Sequence, residues 1–255
     1  MEAAFRVLYS WKSLEGASVI ISGKDLGAYA SNMFCARCEW MRLYVKPLPF
    51  QTFPGIFSSI DRYNKRIVDR HFARQGLPSW LAPLGRVSEL IDPPHFSKFS
   101  VVDAATGMTL RGEADGILRM EDGSYTIIDY KTARYTPGQE SMFQIYEAQV
   151  NSYAYIAERL GLNPVRQLAL VYMEPVTDDA AASDPTKVDP LGFSMAFKAT
   201  IVPVQVKHET IIPQLLNKAA EIERLASPPE GRSGCRDCRS LSRLLALASG
   251  KDGPV

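Results

Sequence analysis

The chain has 255 residues, 46% of them hydrophobic, and its 29 basic and 28 acidic side chains give a formal net charge of +1. That length and apolar content support one large folded domain and exclude a disordered chain. Near-neutral charge excludes polyanion binding by the surface as a whole, so any nucleic acid must meet a local patch.

No apolar stretch approaches the ~18 residues that a membrane helix needs, and the opening "MEAAFRVLYSWKSLEG" lacks a basic region followed by an apolar run. The expectation is a soluble, cytoplasmic protein with no membrane partner. In that reducing setting the four cysteines are not expected to form structural disulfides.

Weak alternation in "FRVLYSW" and "ASVIISG" predicts a short hairpin or an N-terminal appendage. "KDLGAYASNMFCARCEWMRLYV" has helical apolar spacing and ends before the breakers of "KPLPFQTFPG". "SSIDRYNKRIVDRHFARQ" predicts a second helix, opened by serines and closed by Gly76 and Pro78. From "KFSVVDAATG" to "TIIDYKT" the period becomes two, and the turn signals "ATG" and "EDG" divide the stretch into three consecutive antiparallel strands.

"QESMFQIYEAQVNSYAYIAERLG" predicts an amphipathic helix of about 20 residues ending at Gly161, and "VRQLALVYME" a further strand. A polar loop at 176–190 follows. "GFSMAFKATIVPVQV" then reads as a strand, "ETIIPQLLNKAAEIERLAS" as a helix interrupted near Pro213, and "PPEGRSG" as a linker to a cysteine-bearing tail.

The chemistry concentrates in "TIIDYKT". Ile127 and Ile128 mark a buried strand, and an unpaired charge beside them would cost several kcal/mol. Residues two apart on a strand share a face, so Asp129 and Lys131 point the same way, as do Glu113 and Asp115 in "GEADGI". The turn "MEDGSY" joins the two stretches and brings Asp115 near Asp129 if their segments lie opposite one another. Paired carboxylates repel unless a cation neutralises them, and oxygen ligands suit magnesium or manganese. A lysine beside that cation has a natural target in the negative charge of a phosphoryl transition state or in the attacking water.

"GEADGIL", "TIIDYKT" and "YEAQVNSYAYI" stand in the order and spacing of the PD-(D/E)XK nuclease superfamily, and the chain resembles its RecB-type branch, with CRISPR-associated exonucleases, over roughly residues 31 to 174. The resemblance implies an α/β (α+β) fold with a restriction-endonuclease-like core: a mixed central sheet flanked by helices. One domain is expected over residues 1–255, with a core at about 50–205 and cysteine-bearing segments at about 31–46 and 230–250. By the same resemblance Asp115 and Asp129 would be metal-binding acids, the Tyr130 carbonyl a further ligand, and Lys131 the catalytic lysine. Gln149 and Tyr153 match the branch's Q-x-x-x-Y motif, and their spacing puts them on one helix face.

The branch usually carries a histidine on the helix before the strands. Here Asp61 stands at about that place and His71 lies ten residues on. Ten residues turn a helix through about 1000°, so the two cannot reach one site, and Asp61 is the expected extra ligand.

The resemblance implies a Mg- or Mn-dependent DNA nuclease. Exonuclease action in repair, recombination, phage or CRISPR-type processing is the first expectation, and other proteins of such a complex are further partners. The rival is a non-catalytic nucleic-acid-binding or scaffold protein that keeps the fold; the intact acid, acid, lysine set speaks against it.

All the cysteines fall into two C-x-x-C pairs, Cys35 with Cys38 and Cys235 with Cys238. Such pairs suit one four-thiolate site, holding zinc or an iron-sulfur cluster. The resemblance implies a 4Fe-4S cluster joining the N- and C-terminal segments, with Zn2+ as the alternative, although the branch usually divides its cysteines one and three. Arg37, Arg42, Lys46, Arg232, Arg236 and Arg239 would surround that site with basic charge.

Overall fold

The structure, a computed structural model, describes residues 19–45, 54–138 and 140–250, without the side chains of 140 and 141. The stretch "FRVLYSW" and Lys46 lie outside the described residues.

Strand β1 (Ile20–Ser22) leads into helix α1 (Gly23–Ala30), whose N-terminus is capped by Ser22 Oγ accepting from the Asp25 N–H. Helix α2 (Ala36–Tyr44) follows a break, where the sequence predicts one continuous helix. Ser31 and Asn32 cause it: Ser31 Oγ takes the Met33 N–H and Gln144 Oε1 takes the Asn32 N–H, which draws the backbone out of the helical ladder. Cys35 thereby becomes the N-cap residue of α2.

Helix α3 (Gly55–Gln75) begins a turn earlier than predicted and stops at Gly76, where φ is 79°. A 3-10 segment, Ser79–Leu84, joins it to β2 (Val87–Ile91). The predicted three-strand meander is four strands in two sheets. Strands β3 (Ser100–Val102) and β4 (Thr109–Arg111) pair with each other, and β4 pairs in parallel with β1. Strands β5 (Gly116–Met120) and β6 (Tyr125–Lys131) form a hairpin in the main sheet.

Helix α4 (Glu140–Arg159) crosses from β6 to β7 (Val165–Pro175), which lies parallel to β6, as a strand–helix–strand crossover requires. The segment expected to be a polar loop holds a short helix α5 (Asp179–Ala182), a 3-10 turn and the two-residue strands β8 (Val188–Asp189) and β9 (Gly192–Phe193). Strand β10 (Phe197–Val204) precedes helix α6 (His208–Glu223), which runs unbroken through Pro213. One missing N–H is tolerated because Ile212, Leu216, Ala219 and Ala220 bury one face of α6. The tail is itself helical, α7 (Arg236–Ala248).

The main sheet has the order β10-β7-β6-β5-β2, and only β6 and β7 run parallel, so it is mixed as expected. Val68 of α3 and Leu81 and Leu84 of the 3-10 segment pack on the face presented by Ile128, Tyr130 and Val171. The opposite face, with Ile127, Leu168 and Leu170, is covered by α4, and α1 and α6 join the same cluster.

Helix α4 departs from its amphipathic reading: residues 148 to 156 are all buried, polar Gln149, Asn151 and Ser152 included. Enclosure on every side explains this, and each polar group has a partner. Asn151 donates to the Glu147 and Gln205 carbonyls and accepts from the Lys207 N–H, while Ser152 donates to the Ala148 carbonyl.

Candidate active site

The turn between β5 and β6 sets the site's register. Gly123, at φ 81°, donates to the Met120 carbonyl, and Ser124 donates through its N–H and hydroxyl to Asp122 Oδ1. Gly116, the first residue of β5, then pairs with Ile128, while β6 continues past it to Lys131. Asp129, Tyr130 and Lys131 remain paired only on their β7 side, with Leu170, Val171 and Tyr172.

Asp115 caps the edge that β5 leaves open. Its Oδ2 accepts from the Tyr130 N–H at 2.8 Å. The N–H and C=O of one strand residue point to the same edge, so the Tyr130 carbonyl also faces this corner.

Asp129 and Lys131 project toward α4. Lys131 Nζ lies 2.6 Å from Asp129 Oδ2 and donates to Gln149 Oε1 at 2.9 Å. Gln149 Nε2 in turn donates to Asp129 Oδ1 at 3.3 Å and to the Tyr153 hydroxyl at 2.7 Å. An ammonium has no acceptor, so Lys131 fixes which end of the amide faces it. The ring of Tyr146, one helical turn before Gln149, lies under Lys131 Nζ at 4.0 Å from its centroid. Three partners thus hold the lysine in one place.

Asp61 and Lys65 arrive from α3. Lys65 Nζ lies 2.7 Å from Asp115 Oδ1 and 3.0 Å from Asp61 Oδ2, so it bridges the two acids. His71 points elsewhere: its Nδ1 is 2.8 Å from the Gly76 carbonyl, and because a carbonyl only accepts, that nitrogen carries the proton.

The structure therefore brings Asp61, Asp115, Asp129, Tyr130, Lys131, Gln149 and Tyr153 to one corner and leaves His71 out. Sequence reasoning missed Lys65 and Tyr146. Both had a helical signal, Lys65 four residues after Asp61 and Tyr146 three before Gln149.

Burial and the neighbouring Asp129 charge push the Asp115 carboxyl up to about 6, against the opposing pull of Lys65. Burial also raises Asp129, with Lys131 opposing. Asp129 Oδ2 has Lys131 close by but no aligned hydrogen-bond donor, although it is fully buried. The carboxylate oxygens of Asp115 and Asp129 beside the Tyr130 carbonyl make an all-oxygen donor set, which fits a hard divalent cation.

An open cleft of about 800 Å3 between α3 and β2 reaches Lys65 and Asp115. Asp69, Glu89, Asp92 and Glu113 line it, so its walls do not by themselves attract a polyanion.

The cysteines from the two ends of the chain come together, and their Sγ atoms all lie within 4.8 Å of one another. The basic surface expected around them is weaker than its residue count: Arg42 pairs with Glu39 and approaches Asp237 at 3.8 Å, although Arg236 and Arg239 are exposed. Among the described residues no helix is long and apolar enough to cross a membrane.

Residues 56–243 match the family model of the PD-(D/E)XK nuclease superfamily, and the chain belongs to that superfamily. No curated protein matches the sequence. Among solved structures, the crystal structure of SSO0001 is 12% identical over 89% of this chain and 88% of that one, with a TM-score of 0.40. The crystal structure of LHK-Exo in complex with dAMP is 11% identical over 91% and 93%, with a TM-score of 0.33. Likenesses this distant say nothing of chemistry.

Proposed function

We propose that the chain is a Mg- or Mn-dependent DNA nuclease of the RecB-type branch, acting as one domain and cleaving phosphodiester bonds from DNA ends. The single observation that carries the reading is the position of Lys131, held between Asp129 and Gln149 beside an acid corner closed by Asp115.

Asp115, Asp129 and the Tyr130 carbonyl would hold the cation, with Asp61 as an outer acid. Bound there, the ion supplies Lewis acidity toward a phosphate and lowers the pKa of a water. Lys131 presents a fixed positive charge where negative charge develops on the phosphoryl oxygens. Gln149 restricts that ammonium to one orientation, and Tyr153 anchors Gln149 from the core side. Burial of Asp129 keeps competing water from its carboxylate.

The acidic cleft supports dependence on cations for substrate binding as well as for chemistry, since phosphates approach Asp69, Glu89 and Asp92 only when those charges are offset. Four free thiols support a reducing, cytoplasmic setting.

The test is release of nucleotides from end-labelled linear DNA, with covalently closed circular DNA alongside, each with and without Mn2+. Manganese-dependent loss of the end label with circles left intact is expected. Cleaved circles would replace exonuclease action by endonuclease action, and no cleavage of either DNA would overturn the nuclease reading.

A further inference from the structure

The two cysteine pairs occupy equivalent places in two helices. Cys35 is the N-cap residue of α2 and Cys235 that of α7, and Cys38 and Cys238 each lie three residues on, in the first turn. Two helix N-termini therefore meet, each directing unpaired N–H groups and the positive end of its dipole at sulfur. The Arg232 N–H donates to Cys35 Sγ at 3.2 Å.

The sulfurs are close. Cys35 and Cys238 are 3.5 Å apart, Cys38 and Cys238 3.5 Å, and Cys38 and Cys235 3.6 Å. These separations are far longer than the ~2.05 Å of a disulfide. Four thiolates at ~2.3 Å from one tetrahedral zinc stand about 3.8 Å from each other. In a four-iron cluster each thiolate binds a different iron, and the cube of iron and sulfide between them holds the thiolates much farther apart than ligands of one ion.

The surroundings leave little room to expand. A Cβ at Gly231 would lie 2.7 Å from Cys238 Sγ, so the backbone of the linker is pressed against that sulfur. Among the described residues the space within the four thiols is that of a single ion.

We propose that Cys35, Cys38, Cys235 and Cys238 form a mononuclear zinc site and not an iron-sulfur centre. The four-iron cluster that the RecB-type resemblance implies does not fit the sulfur separations. A closed shell of four thiolates leaves no position for substrate, so the ion is structural. Its work is to hold α7, in which Cys238 is the one buried residue, against α2. Zinc has no redox chemistry, so this join survives exposure to oxygen better than an iron cluster would. The inference rests on the thiol geometry alone and stands or falls apart from the nuclease reading.

The experiment is metal analysis of the full chain, purified without oxygen from cells supplied with both iron and zinc. About one zinc per chain in a colourless protein, with no acid-labile sulfide, is the expected result. Replacement by Co2+ should give the intense visible bands of a tetrahedral cobalt thiolate, and Cys35→Ser and Cys235→Ser should each lose the zinc. A brown protein with iron and sulfide would overturn the proposal. So would a metal-free protein with all thiols reactive, or one whose intact mass shows disulfides. Limited proteolysis supplies a second measurement, independent of how the variants fold. Chelation of the wild type should open cleavage within 226–250 first and leave the central sheet protected.

Discussion

Gly112 lies so near the ring of Tyr153 that a Cβ on the glycine would stand 2.7 Å from Tyr153 Cδ1. The glycine three residues before Asp115 and the tyrosine four residues after Gln149 are therefore two halves of one contact. Through it the segment that delivers the first acid is seated on the helix that orients the lysine. Phe99 crowds the same spot, at 3.0 Å from that Cβ, so the glycine has no empty side to lean into.

Gly112→Ala should consequently destabilise the fold by about 1–3 kcal/mol, the usual cost of overpacking. It should weaken Mn2+ binding as well, because Asp115 must shift with its segment. Urea denaturation and Mn2+ titration of the purified variant measure the two effects, and wild-type values in both would refute the contact's role.

Asp129→Asn should abolish cleavage, by on the order of a hundredfold or more, and cost little stability, since it removes a buried charge while keeping the shape. Lys131→Met should lose as much activity but destabilise the metal-free protein by on the order of 3 kcal/mol at pH 8, because it strands the Asp129 carboxylate. That penalty should shrink at pH 5, where the raised Asp129 carboxyl takes up a proton more readily. Equal stability losses for both variants at both pH values would contradict the pairing.

Lys65 stands between Asp115 and Asp61 where a cation belongs, so metal and ammonium compete for the same oxygens. Removing a unit positive charge a few ångströms away is worth on the order of 1–4 kcal/mol. Lys65→Gln is therefore expected to tighten Mn2+ binding by roughly tenfold or more. Isothermal titration without DNA reads this directly, and weaker binding in the variant would show that Lys65 supports the ion instead.

Metal-free stability should depend on pH through Asp115. Its carboxyl, held up to about 6 from 3.8 by burial and Asp129, binds a proton more tightly in the folded protein than in the unfolded chain. Stability from this group is thus fully present below 3.8 and is lost as pH rises through about 6. A divalent cation binds the ionised form, so Mn2+ should raise Tm more at pH 7.5 than at pH 5. Equal Mn2+ effects on Tm at the two pH values would argue against Asp115 as a ligand.

The core of the site was legible because it is local. Asp129 and Lys131 share a face by strand period, Gln149 and Tyr153 by helix period, and Gly123 sets the hairpin that pairs them with Asp115. What periodicity does not carry is partnership at a distance. Nothing in "KFSVVD" says that its strand joins a small sheet with β1, and the unbroken apolar spacing of 24–45 hid a break that depends on Gln144, more than a hundred residues away. The enclosure of α4 was equally hidden, since Asn151 and Ser152 look solvent-facing until their backbone partners are known. Pro213 was overrated as a breaker because the burial of one helix face outweighs one lost hydrogen bond. The tail helix went unread although "RDCRSLSRLLALA" is strongly amphipathic, because the cysteine pair drew the reading of that segment to metal binding.

The crossover has a consequence for a chain still being synthesised. The β5–β6 hairpin closes over a four-residue turn and can assemble its acids early, whereas Lys131 gains its amide partner, Gln149, 18 residues further along, only when α4 docks back onto the sheet. Until then only Asp129, two residues back on the same strand, restrains the ammonium. On the proposed reading, a copy in which α4 has not docked would carry the acids but lack the contact that orients its lysine.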